Sequence, residues 1–83
     1  MLYRLDLVLK PAEGALARVI GLAERRGFSP RAITGTTGAD AAGDSWQLQL
    51  VVSSDRPADN LRRQMEKIYD CESVHITTLE AHP

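Results

Sequence analysis

Cysteine is almost absent. Cys71 is the one thiol, so no internal disulfide can form. No apolar stretch opens the chain either, because Arg4 and Asp6 interrupt Met1-Leu2-Tyr3-Arg4-Leu5-Asp6, which therefore lacks the pattern of a signal peptide. Together these point to the reducing cytosol, a cytoplasmic location. No apolar run approaches the ~20 residues that a spanning helix needs, so no membrane partner is expected. Neither sign of charge dominates: 10 Lys+Arg face 11 Asp+Glu, a formal net charge of -1. That balance excludes a polybasic nucleic-acid module and gives no electrostatic reason to sit on a membrane surface. Aromatics are 5% of the 83 residues. A chain this short buries somewhat above ~60% of its unfolded surface, enough for one thin core and not for a deep private active site. One domain over residues 1–83, ordered from about 2 to 80, is the expectation.

What is present is a run of alternating and helical patterns. Tyr3, Leu5, Leu7 and Leu9 share one face of a strand over Leu2 to Leu9, with Arg4, Asp6 and Val8 on the other. Lys10-Pro11 stops it, and from Pro11 to Arg26 the period becomes helical, with Ala12, Leu16, Val19, Ile20 and Ala23 as the apolar stripe. Glu13 in the first turn and Arg25-Arg26 in the last suit the helix dipole, and Gly27 suits a left-handed C-cap. A strand is expected from about Phe28 to Thr34, and Pro30 demotes it to an edge or a bulged start. Gly35 to Ser45 reads as an unusually long hairpin connection, mobile or ordered by a partner. Trp46, Leu48, Leu50 and Val52 then alternate with Gln47, Gln49 and Val51. Pro57 suits a first helical position, and Ala58, Leu61, Met65, Ile68 and Tyr69 form a second stripe. A last strand runs from Ser73 to Leu79, and Ala81-His82-Pro83 is a tail. The order β-α-β-β-α-β predicts an α+β fold: a ferredoxin-like four-stranded antiparallel sheet with both helices on one face.

Catalytic groups are scarce. His75 alternates with Val74 and Ile76 and so belongs on the open sheet face, out of reach of Cys71, while nucleophile and base must meet within hydrogen-bond distance. Cys71, His75 and His82 have no metal-ligand spacing, so no metal site is expected. Base stacking needs aromatics on the open face, where this chain offers Arg4, Asp6, Val8, Gln47, Gln49 and Val51. Arg62-Arg63 with Lys67 is interrupted by acidic residues and reads as a solvated helix face. Two features stand out. Gly14, Ala17 and Gly21 form a small-residue stripe away from the core side of the first helix, and a mid-helix glycine costs roughly 1 kcal/mol unless something packs closely there. The turn Lys10 to Gly14 also places backbone N–H groups at a helix start, where a carboxylate is favoured.

Gly14-Ala15-Leu16-Ala17-Arg18-Val19-Ile20-Gly21-Leu22, followed by Arg26-Gly27-Phe28, resembles the ACT-domain signature of acetolactate (acetohydroxyacid) synthase small subunits. The likeness is close over the first thirty-five residues and follows element order beyond them. One such domain resembles the short, isozyme II type of small subunit. The resemblance implies an ACT fold, a non-catalytic chain, and regulation of branched-chain amino-acid (valine, leucine, isoleucine) biosynthesis through binding the catalytic large subunit. Thiamine diphosphate, Mg and FAD would all reside on that large subunit, with none on this chain. ACT domains typically pair, and effectors bind at the pair interface. The positions so implied are Lys10, Pro11, Ala12, Glu13, Gly14, Ala15 and Leu16, with Arg31, Ile33 and Thr34. Gly14, Ala17 and Gly21 would line a homodimer interface. Feedback-sensitive relatives carry Asn three residues before the Gly; Pro11 stands there here, which implies at most a weak amino-acid effector. The alternative is a free-standing ACT amino-acid sensor acting on another enzyme or regulator, and behind it a small ferredoxin-like enzyme.

Overall fold

In the computed structural model, which describes residues 1–40, 43–68 and 70–80, alternation in the sequence becomes a sheet. The elements are β1 (Leu2–Leu9), α1 (Ala15–Arg25), β2 (Ser29–Asp40), β3 (Gly43–Ser53), α2 (Asp59–Glu66) and β4 (Cys71–Glu80). The strand order is β2-β3-β1-β4, antiparallel throughout, which is the ferredoxin-like arrangement predicted. Along β1 every second residue is buried. Leu5 pairs with Leu50 and Leu7 with Leu48 across the central ladder, so both strands send their apolar sets to the same face. The core comprises Tyr3, Leu5, Leu7, Leu9, Leu48, Leu50 and Val52 beneath Val19, Ala23, Leu61 and Met65. Each fully buried Leu or Met contributes about 1.5–3 kcal/mol. Among the described residues no helix is long and apolar enough to cross a membrane.

Several predicted boundaries move, and β4 begins at Cys71, two residues before the expected Ser73. The first helix begins at Ala15, not Pro11, because Gly14 takes φ 80° and acts as its N-cap. Its buried residues are Ala15, Val19 and Ala23, while Leu16 is exposed and Ile20 half-buried. The two alanines let the helix backbone settle on the sheet, and the bulkier Leu16 and Ile20 turn to the flank beside Trp46. Glu13 therefore precedes the helix, and no acidic residue occupies its first turn. At the other end Gly27, at φ 87°, forms the expected left-handed cap. Its N–H donates to the Glu24 carbonyl and that of Phe28 to the Ala23 carbonyl, the two bonds of a Schellman motif.

Of the segment expected as a long connection, residues 35–40 and 43–45 are instead strand. The β2–β3 ladder continues through Thr36↔Gln47 and Gly38↔Ser45 to Asp40↔Gly43. Gly35 and Gly38 keep negative φ, so both extend, and Thr34, Thr36 and Thr37 supply β-branched neighbours. Pro30 lies where β2, an edge strand, slips register between Pro30 and Ala32. The second helix is also shorter, starting two residues after Pro57, and buries Leu61 and Met65. Tyr69 and the 81–83 tail lie outside the described residues.

Candidate functional site

Leu9 anchors β1 in the core, and the chain then turns. The Lys10 N–H donates to the Asp70 carbonyl (2.7 Å), tying the turn to the residue before β4. The Ala15 N–H donates to the Ala12 carbonyl (3.1 Å). With Gly14 at φ 80°, ψ -1°, its third residue, the turn has type II character, and that position favours glycine. No side chain caps α1. The Arg18 guanidinium lies over the turn: its Nη1 is 3.0 Å from where a Gly14 Cβ would sit. It is held there by Asp70, whose side chain is only 7% exposed against 51% for Arg18. This pair spans 52 positions of sequence and was not foreseen.

Beside the turn runs a shallow apolar groove of about 620 Å³ walled by Pro11, Glu13, Leu16, Ala17, Ile20 and Trp46. A narrower hollow of about 210 Å³ adjoins it, where Leu16 and Trp46 meet Gly35, Thr36 and Thr37 of β2. Gly35 gives that hollow its depth, since a Cβ there would lie 3.3 Å from Leu48 Cδ1. Trp46 is half-buried and shared between both hollows.

The predicted residues separate into groups. Lys10, Pro11, Ala12, Glu13, Gly14 and Leu16 come together as the turn. Ala15 does not belong with them, because its side chain is in the core and its N–H is already bonded to Ala12. Arg31, Ile33 and Thr34 lie elsewhere in the same chain. The turn stands level with Thr37, which pairs with Trp46 opposite Leu9. Arg31 is six residues down β2, roughly 20 Å at the usual strand rise, with its Nε 3.3 Å from Ser53 Oγ. Thr34 faces the open side of the sheet beside Gln49, and Ile33 is 47% exposed on the helix side of the edge strand. Of the small-residue stripe, Gly14 is outside the helix, Ala17 is exposed and Gly21 is half-buried, with Arg25 Nη1 3.3 Å from its would-be Cβ. Among the described residues no group of three His, Cys, Asp or Glu could hold a metal.

A family model described as "ACT domain" matches residues 11–74. Solved structures share the fold. The ACT domain from GTP pyrophosphokinase of Chlorobium tepidum superposes with a TM-score of 0.68 at 13% identity, covering 93% of this chain and 97% of that one. The C-terminal domain of the MgtC protein from Mycobacterium tuberculosis gives 0.67 at 12% identity, over 92% and 84%. Formyltetrahydrofolate deformylase from Burkholderia mallei gives 0.70 at 25% identity over all of this chain, which spans only 30% of that enzyme. No curated protein sequence matches.

Proposed function

The chain belongs to the ACT-domain family, and from that membership we propose that it is the regulatory and activating small subunit of acetolactate synthase, in branched-chain amino-acid biosynthesis. It acts in the cytosol by binding, not by chemistry. It binds no cofactor, and thiamine diphosphate, Mg and FAD belong to the catalytic large subunit. The observation that carries this reading is the surface around the Gly14 turn: an exposed β2 edge, a helix start without a side-chain cap and a continuous apolar groove from Leu16 to Trp46. That surface suits a second copy of this chain, since an open edge strand offers unpaired backbone donors and acceptors. The pair then presents its joined sheet and helices to the large subunit. The Arg18-Val19-Ile20-Gly21-Leu22 run on α1 supports the acetolactate synthase assignment within the family.

Effector control is weak in this reading. A free amino acid needs partners for carboxylate and ammonium alike. The α1 start favours the carboxylate, but Pro11 offers no side-chain amide and no backbone donor. An unpaired ammonium at a partly closed interface is costly. The test is reconstitution: added to the purified large subunit, the chain raises its turnover of pyruvate, and valine inhibits only feebly. Pro11→Asn strengthens valine binding measurably by calorimetry. An unchanged rate at saturating small subunit would overturn the assignment and promote a free-standing amino-acid sensor.

A further inference from the structure

At the end of the sheet opposite the Gly14 turn, two connections that are distant in sequence meet. One follows α1 and the other precedes α2. Between them opens a cleft of about 460 Å³ walled by Arg26, Arg56 and Arg63. The ion pairs among the described residues are Arg4–Asp6, Arg18–Asp70 and Arg62–Glu66, so none of these three guanidiniums has a carboxylate within pairing distance. Asp59 also lines the cleft and offsets one of the three charges.

Arg56 is set in advance. Its N–H donates to Ser54 Oγ (3.0 Å) and its carbonyl accepts from the Tyr3 hydroxyl (3.0 Å). Its Nη1 donates to the Arg26 carbonyl (3.4 Å), which leaves its remaining donors free. Gly27 makes room for it: a Cβ there would lie 3.0 Å from Arg56 Nε. A guanidinium resting on the Arg26 carbonyl above an ordered main chain presents a planar fork that fits phosphate oxygens bidentately.

We propose that this cleft binds a small phosphate-bearing anion. The site is too confined for nucleic acid or a membrane surface, which need an extended basic stripe: Arg62, next along α2, is already paired with Glu66. The inference is independent of the acetolactate synthase reading.

Pyrophosphate titrated into the full chain at low ionic strength is the probe, followed by calorimetry and backbone amide shifts. Saturable one-to-one binding is expected, with the shifts on Arg26 to Phe28 and Arg56 to Leu61. Arg56→Ala should weaken it about tenfold, the loss of one bidentate charge-assisted contact. The pair Arg26→Ser with Arg63→Ser should abolish it, with an unchanged urea midpoint showing that the fold is intact. Absence of saturable binding at millimolar pyrophosphate overturns the proposal. So do equal affinity in the variants, shifts centred on Lys10 to Ala17, or citrate binding as tightly as pyrophosphate.

Discussion

The two ends of α1 use one device with opposite results. Each has a positive-φ glycine, Gly14 or Gly27, and each has a guanidinium lying against it, from Arg18 or Arg56. At the turn end, the nearly buried carboxylate of Asp70 closes the pair, so the charge is spent inside the chain. At the other end, Arg56 is met by a backbone carbonyl, and its charge stays available. The aromatics invert in parallel. Phe28 is 3% exposed and tilts against Tyr3 at 6.0 Å between ring centroids. Trp46 is half-buried over an apolar groove. One end is therefore finished inside and charged outside. The other is neutralised and leaves apolar surface uncovered, the condition that invites a protein partner.

The aromatics test this most severely. Phe28→Ala should cost about 3–5 kcal/mol, since it empties a core site and removes the ring packed against Tyr3. Trp46→Ala should cost less than half of that in the isolated chain, but should shift the proposed dimer towards monomer in sedimentation. Urea unfolding and sedimentation velocity on both variants read the two effects separately. Equal loss of stability, with assembly untouched, would break the comparison.

The carboxylate comes next. Asp70→Asn should cost about 1–2 kcal/mol, in the range of a hydrogen bond to a charged group and discounted because Arg18 is half exposed. Arg56→Ala, losing one long exposed bond to a carbonyl, should cost about 0.5 kcal/mol or less. The urea midpoints decide it, and a larger cost for Arg56→Ala would reverse the assignment of which arginine is structural.

Much of this was legible in the sequence. The alternations of Tyr3 to Leu9 and Trp46 to Val52 fixed both central strands, and the element order fixed the topology. Gly27 announced its cap. The helix face was misjudged because Leu16 and Ile20 look like core, whereas the alanines set how near α1 approaches the sheet. The hairpin was misjudged because Gly35 and Gly38 read as flexible, although pairing with β3 holds them extended. The Arg18–Asp70 contact was invisible for another reason: nothing local links residues 52 positions apart. The arginine cleft was hidden likewise. Arg62-Arg63 read as one solvated streak, yet Arg62 folds back on Glu66 while Arg63 walls the cleft.

The smallest expected effect lies at the turn end, directly after Asp70. Cys71 pairs with Leu9 at a register shift of β4 and packs, half-buried, against the core. Burial pushes its thiol pKa up, the nearby Glu66 carboxylate adds to that, and a backbone hydrogen bond at Ser73 works the other way. The net rise means that the folded chain holds the thiol proton to higher pH than the unfolded chain does. Between the two values the folded state binds more protons, so stability is fully present below the unfolded value and falls as pH rises through the folded one. The urea midpoint should therefore decline slightly from neutral into alkaline solution, and Cys71→Ser, which cannot titrate there, should flatten that part of the profile. The same rise predicts that a thiol-alkylating reagent reacts more slowly with the folded chain than with the chain in denaturant, because the thiolate is the nucleophile. Equal rates would show that the turn end exposes its thiol as freely as the opposite end exposes its arginines, and the contrast between the ends would then rest on Asp70 and the aromatics.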